Sequence, residues 1–596
     1  MIKQKRYLIT SAIEETWKFN QPVIFLGEWC RLYDRRHIWE NMDAMTAKPY
    51  GLAKIIKDTD FNKIKFLEKK LFFKFFELLN EHHKTEYSER FWQILLGHWF
   101  RKTLGLLINR INTISECLEN YYISGCTFYV NKNSTLASLD SYSSVTICND
   151  DIWNNFLYYR IINFFEVDFP LETLEYKSSI SNKNINISQY KDTFKRKTFK
   201  RVLKIYSQIS SRLKKKNDAF IIGSYLNLDI EIKLQLALKQ WPQVWTYHRD
   251  ELNLISFYKD YDKFIREKLK NKFINRSTCK LEKIITSLIF ELLPMCYLEG
   301  FRDLEKNANQ QPWPSDPKFI FTSNNYETDE IFKFWCAKKV EKKVKYFVGQ
   351  HGNRYGISRN FSEQIEEITS DKFITWGYKG KLPQHIPGFV LKTAGDKKER
   401  PSFNGRLLLI QQPLPHRHET WDTDAEFVQY FNDQKEFVEM LSTNPKKNLT
   451  IRLHHTHNHF RWNEKKRWLD IDASINIDDG SVSIKKLISK SKLIVHSYNS
   501  TGTLETLSQN IPTLIFWQDG LDIIEENAIS HFELLINAGI LHLSAKSAAS
   551  KVNEIWDNTE NWWVRKQIQV ARKEFCDVYA KTCKNPVFEL KKILLS

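Results

Sequence analysis

The stretch LIVHSYNSTGTLETLSQNIPTLIFW, from Leu493 to Trp517, sets the fold class. Leu493–His496 is an apolar run of strand length. Ser497–Gly502 supplies hydroxyls and a glycine, Thr503–Gln509 reads as a helix, and Pro512–Trp517 is a second apolar run after the Asn510-Ile511-Pro512 turn. Two buried strands joined through a helix lie parallel, because the crossover returns the chain to the edge from which it started.

The same alternation continues outward. Arg406–Gln411, Leu449–Leu453 and Ser474–Ile477 read as strands, with helices at Glu426–Leu441 and Ile484–Ser491 and closing helices at Phe532–Ala538 and Trp562–Tyr579. This predicts a doubly wound α/β domain over 396–596. Toward the N-terminus, Tyr7–Thr10, Val23–Gly27, Ser144–Cys148, Lys318–Thr322, Tyr346–Gly349 and Lys372–Trp376 read as strands. Long helical stretches interrupt them, including Phe61–His82 and Glu89–Cys117. Residues 1–395 are therefore expected to form a second Rossmann-like domain with helical insertions at about 55–135 and 185–300, and 379–404 to act as linker. Two Rossmann-like domains facing a cleft is the GT-B arrangement. Ligands in such sheets bind beyond the carboxyl ends of the strands.

Composition narrows the class. The 596 residues are 42% hydrophobic and 27% charged, with no low-complexity tract, which excludes a disordered chain. Nine scattered cysteines without a CxxC pair argue against a disulfide framework or a zinc ribbon. Apolar runs are strand-sized and the first ten residues carry no apolar leader, so a cytoplasmic location is expected. The net charge is +18, and 191–216 alone holds eleven Lys/Arg against one acid. Val202, Tyr206, Ile209 and Leu213 recur there at helical spacing. The segment reads either as a solvated helix face or as a peripheral contact to an anionic inner leaflet. No nucleic-acid recognition module is present, so no nucleic-acid partner is expected.

Four motifs follow strands. Ser500, Thr501 and Gly502 open a helix, where backbone N–H groups favour a phosphate, and Glu505 one turn on can accept from ribose hydroxyls. The plain alternative is an ordinary N-cap. Arg452 and His454 end the second strand of the C-terminal domain and can face a donor phosphate. His454, His455, His457 and His459 also invite a zinc site, but no carboxylate or Cys stands at zinc spacing, so no metal is expected. In Gly349-Gln350-His351-Gly352-Asn353-Arg354, His351 is a candidate base or donor and Arg354 can neutralise a leaving group. The plain alternative is a tight turn with a structural histidine. In Leu26-Gly27-Glu28-Trp29, Glu28 is a candidate base or nucleophile, and Trp29 reads as a sugar platform or as core.

Arg6–Thr10, Leu26–Asp34, Ala47–Gly51 and Ser500–Trp517 resemble LIC-type transferases of bacterial surface-polysaccharide gene clusters, over nearly the whole chain. More distantly, the Gln350-His351-Gly352 turn and the late Ser/Thr-Gly–Glu helix resemble capsule Kdo transferases and CDP-glycerol polymerases. Those families carry a His-Gly turn and a later His matching His351 and His454; this chain has His454-His455 where they have His-Pro. The resemblance implies a glycosyltransferase moving a sugar from a nucleotide sugar, such as a CMP-ulosonic acid, to a glycan or lipid-linked glycan acceptor. No cofactor is expected, since a helix dipole with Arg354 and Arg452 can stabilise a departing phosphate. A CDP-polyol phosphotransferase and a non-catalytic membrane-surface scaffold are the alternatives.

Overall fold

The computed structural model describes residues 4–131, 134–177, 194–245, 261–274, 279–396, 402, 404–423, 425–518 and 520–596. Parts of the expected 185–300 insertion and of the 379–404 linker lie outside the described residues. The expected α/β architecture holds, with three parallel sheets.

The first sheet contains β1 (Arg6–Ile9), β2 (Val23–Phe25), β3 (Ala44–Thr46), β4 (Ile123–Val130) and β5 (Leu171–Glu175), in the order β3-β2-β1-β4-β5. The second contains β6 (Phe220–Ile221), β7 (Phe319–Thr322), β8 (Lys345–Gly349), β9 (Lys372–Thr375) and β10 (His385–Pro387), in sequential order. The third contains β11 (Arg406–Ile410), β12 (Leu449–Arg452), β13 (Asn476–Asp478), β14 (Ser491–His496), β15 (Thr513–Phe516) and β16 (Leu541–His542). Its order, β13-β12-β11-β14-β15-β16, reverses direction between β11 and β14. The N-terminal region, expected as one Rossmann-like domain, thus carries two sheets. The helices Lys54–His83 and His98–Asn120 fall between β3 and β4, inside the first unit.

Two local readings change. Ser144–Cys148, read as a strand, lies largely in the helix Ser141–Ile147, because Asp140 caps its start by accepting from Ser143 N–H at 2.7 Å. The strand beside β1 is instead β4, whose Ser124, Gly125 and Thr127 dilute the apolar pattern.

The second and third sheets form the GT-B-like pair. The C-terminal helix Pro586–Leu595 crosses back from the third unit, and its Leu590 and Leu594 pack with Phe319, Phe347 and Leu234 of the second. The carboxyl ends of β8 and β14 meet where Asn353 bonds to Asn499 and Thr501. The first sheet also turns its carboxyl edge inward: Trp29, after β2, packs its ring 4.4 Å from His416, after β11. Among the described residues, no helix is long and apolar enough to cross a membrane.

The returning helix gives a direct test. Leu590 is 1% exposed and Phe588 is 65% exposed. Leu590→Ala should cost about 2–5 kcal/mol in chemical denaturation, and Phe588→Ala no more than about 0.5 kcal/mol.

Candidate functional site

The direction reversal between β11 and β14 places a cleft at the carboxyl end of the third sheet. A cavity of about 420 Å³ opens there, within the range of roughly 300–1,000 Å³ that small-molecule sites occupy. The third unit contributes Gln412, Trp421, Asp422, Tyr498 and Asn499, and the second contributes Asn353, Arg354 and Arg359. Lys54 and Lys57 come from the long helix of the first unit. A smaller recess continues along Gln412, Tyr430, Gln434, Trp517 and Gln518, so Tyr498 and Asn499 border both spaces.

The turn after β8 is built to meet this cavity. Gln350 is buried; its side-chain nitrogen donates to Gly352 O at 2.7 Å and its oxygen accepts from Trp376 N–H at 2.7 Å. That clamp aims Asn353 at the third unit. Asn353 N–H donates to Thr501 Oγ1 at 3.2 Å, and Asn353 Nδ2 donates to Asn499 O at 3.0 Å. Arg354 lies over the Phe361 ring at 4.5 Å, with Asp422 Oδ1 3.8 Å from its guanidinium. This ion pair is long, and about a third of the Arg354 side chain is exposed.

Ser500 has the plain capping role. Its hydroxyl accepts from Thr503 N–H at 3.0 Å and contacts His496 Nδ1 at 3.1 Å, and the residue is buried. Thr501 and Gly502 stand half-buried at the start of the helix Thr501–Ser508, beside Asn353.

His351 lies in the same turn, three residues before Arg354, and does not itself line the cavity. Tyr326 Oη lies 2.6 Å and Tyr355 Oη 3.0 Å from its Nδ1, and Tyr355 also donates to Glu366. Burial holds His351 below the ordinary imidazole range, opposed by Glu327 and reinforced by Lys102. Glu327 follows β7 and pairs with Lys102 of the helix His98–Asn120; the Lys102 charge, against burial, holds Glu327 down at about 2. Both side chains keep about a third of their surface, and the pair lines a small cavity of about 40 Å³ with His98 and His418, apart from the cavity that Arg354 lines. Glu419 is pushed up by burial and by the neighbouring Asp422. Asp422 Oδ2 accepts from the N–H groups of His418 and Glu419 at 2.9 and 2.8 Å, which leaves Oδ1 toward Arg354.

Other expected site residues stand elsewhere. Glu28 forms an ion pair with Arg31, both carboxylate oxygens at 2.5 Å, and does not line the cavity. Arg452 pairs with Asp478 on the adjacent β13, so strand register, not a phosphate, uses its charge. His454 contacts Thr456 Oγ1 at 2.7 Å, and burial followed by His455 and Arg452 lowers it to about 4. Glu505 turns toward Lys392 at 2.7 Å, outside the cavity lining. Among the described residues, no cluster of three His, Cys, Asp or Glu is placed to hold a metal.

Sequence reasoning missed Glu327, Lys102, Glu419, Trp421 and Asp422. A usable signal existed for most of them: Asn325-Tyr326-Glu327 follows β7, and His416–Asp422 is a polar run following β11. Lys102 lies within a helix and gives no such signal.

The fold and this cleft define an α/β protein with a cavity between facing parallel sheets. The chain belongs to the LIC12162 family of transferases, whose model matches residues 6–594. No curated protein matches it. Among solved structures, a protein assigned as a UDP-N-acetylglucosamine 2-epimerase from Listeria monocytogenes is 14% identical, with 61% of this chain and 93% of that one covered and a TM-score of 0.35. The spinosyn rhamnosyltransferase SpnG with thymidine diphosphate is 11% identical, covering 50% and 81%, at 0.26. A variant of the wall teichoic acid polymerase TagF is 10% identical, covering 47% and 73%, at 0.28. At these scores the likenesses bear no weight for the reaction.

The carboxyl behind His351 gives a pH test. Burial pushes Glu366 up to about 7. A carboxyl raised on folding stabilises fully below its unfolded value, near 4.5, and loses that contribution as pH rises through about 7. Relative to Glu366→Gln, the wild type should therefore lose thermal stability between pH 4.5 and 7.5. Parallel melting curves for the two proteins over that range would remove Glu366 from the account.

Proposed function

We propose that this transferase moves a glycosyl group from a nucleotide-activated donor to a surface glycan or its lipid-linked precursor. The cavity at the β11/β14 reversal carries this reading, because it joins a narrow recess for a base to a cation-bearing space for phosphates. In this reading Gln412, Gln434 and Trp517 border the nucleobase. Arg354 and the start of the helix Thr501–Ser508 receive the phosphates. With Tyr326 donating to Nδ1, His351 carries its proton on Nε2 and offers a hydrogen bond to the leaving group. A CMP-ulosonic acid is the first donor to test.

Asp422 is assigned as the base that accepts the acceptor hydroxyl's proton, in preference to Glu28, which is held by Arg31. Two backbone N–H groups hold one Asp422 oxygen, so the other is presented in a fixed direction. Charge on the departing phosphate is met by Arg354 and the backbone donors.

Thermal shift and calorimetry with a nucleotide panel test the donor assignment. Arg354→Ala should weaken the best nucleotide by about 10- to 100-fold, the loss of a charge-assisted hydrogen bond. Asp422→Asn should lower kcat by about 100-fold or more while nucleotide affinity changes less than about threefold. Unaltered affinity in the first variant would exclude the cavity as donor site, and full activity in the second would exclude Asp422 as base. Release of CMP from a CDP-activated polyol donor would instead favour polyol-phosphate transfer.

A lipid-linked acceptor is supported by the helix Phe194–Ser210. Val202, Ile205, Ile209 and, just past its end, Leu213 are all more than half exposed within a strongly basic segment. Cosedimentation with liposomes should require anionic lipid and fall with salt. Equal binding to neutral liposomes would reject an electrostatic membrane contact.

A further inference from the structure

A second pocket lies across the loop after β11 from the donor cavity. It is lined by Trp29 and Tyr50 of the first unit, by Arg110 of the helix His98–Asn120, and by His416, Arg417, Glu426 and Trp462 of the third unit. Leu414 and Ala425 border both this pocket and the recess assigned to the nucleobase, so the two spaces share a wall.

Three nitrogens in its lining are buried without a hydrogen-bond partner among the described residues: Arg110 Nη2, His416 Nε2 and Arg417 Nη1. Arg110 is 1% exposed. It donates to Asn109 Oδ1 at 2.7 Å, to Asn154 Oδ1 at 3.3 Å and to Arg417 O at 2.7 Å, and no described carboxylate lies within ion-pair distance of it. Arg417 pairs through Nη2 with Glu426, which leaves the guanidinium of Arg110 uncompensated. A buried cation without a counter-charge is strongly destabilising, and each buried donor left unpaired costs about 1–3 kcal/mol. Protein interiors seldom keep such groups without a partner.

We infer that Arg110, His416 and Arg417 form a binding site for an oxyanion, a phosphate or carboxylate group, separate from the donor cavity. An oxyanion meets the two orphaned guanidinium donors, accepts from His416 in its Nε2–H tautomer, and cancels the unpaired charge. The volume of about 30 Å³ exceeds the roughly 10–15 Å³ that one water needs, and suits one small anionic group, not a whole sugar. Trp29, Tyr50 and Trp462 give the pocket aromatic walls, against which the apolar face of an attached sugar can rest. The site therefore fits the acidic substituent of a glycan. The pocket also follows β2 and β11, at the carboxyl ends of two sheets, where α/β proteins place ligands.

The test uses the full chain, titrated by calorimetry with inorganic phosphate and separately with glucuronate. It is run in the Arg354→Ala background, which removes the donor-cavity cation assigned to the phosphates; Lys54, Lys57 and Arg359 remain there, so the loss on adding a substitution in the second pocket is what assigns the site. Binding of at least one oxyanion should persist there and weaken at least tenfold on adding Arg110→Met or His416→Phe; the phenyl ring keeps the tilted ring contact with Trp29. Tighter phosphate binding identifies a phosphoryl group, and tighter glucuronate binding a sugar carboxylate. Crystals soaked in sodium bromide should show an anomalous peak among Arg110, His416 and Arg417, a readout that needs no variant to fold. Absence of oxyanion binding in the Arg354→Ala protein overturns the site, as does affinity unchanged by both added substitutions. Neither result touches the donor assignment, which is read from nucleotide binding.

Discussion

The polar loop that follows β11 is the element on which the centre of the molecule depends. It leaves the third sheet at Gln411 and is held by groups far away in the chain. Arg110 donates to Arg417 O, Asn149 Oδ1 accepts from His416 N–H at 2.8 Å, and Thr420 Oγ1 donates to Asp60 at 2.6 Å. Its close docking needs two glycines. A β-carbon at Gly105 would meet Glu419 Cγ at 2.6 Å, and one at Gly51, whose φ is +76°, would meet Thr420 Cγ2 at 2.2 Å. The loop places Asp422 on one side and His416 with Arg417 on the other. One backbone excursion thereby carries both candidate binding spaces.

Electrostatics explains why the cleft is ordered. Lys102, Glu327, Arg354 and Asp422 are brought together from three regions of the chain, and each charge is partly desolvated. Opposite charges at short range offset that desolvation, whereas solitary ones do not. The tight Lys102–Glu327 pair is satisfied within the protein, while Arg354 has a long ion pair with Asp422, a long hydrogen bond to Trp421 O at 3.4 Å and the face of Phe361. Asp422 offers Arg354 only one oxygen, at 3.8 Å, because the other accepts from two backbone N–H groups, so the guanidinium fork keeps capacity for a phosphate. The same reasoning separates Arg452, which is paired with Asp478, from Arg110, which is not engaged by any carboxylate among the described residues.

Strands of continuous apolar residues were legible, as in β7, β8, β11, β14 and β15, because burial on both faces removes alternation. Strands of mixed composition were not: β4 contains Gly125 and Thr127, and β6 and β16 are two residues long. At the site, Arg354 and the helix start at Thr501 were legible because each directly follows a strand. Glu28 and Arg452 also follow strands, yet neighbours three residues away and on the adjacent strand take up their charges. Position after a strand says where a side chain begins, not which partner it meets.

By itself the sequence determined the parallel α/β class, the doubly wound third sheet and the family, since these rest on local periodicity and on residues contiguous in the chain. Only the tertiary structure decided that the N-terminal region holds two sheets, that Glu327 and Lys102 meet, and that Arg110 lies without a carboxylate beside His416. Those relations join residues hundreds of positions apart, and their energies arise from burial and mutual distance, which no local pattern encodes.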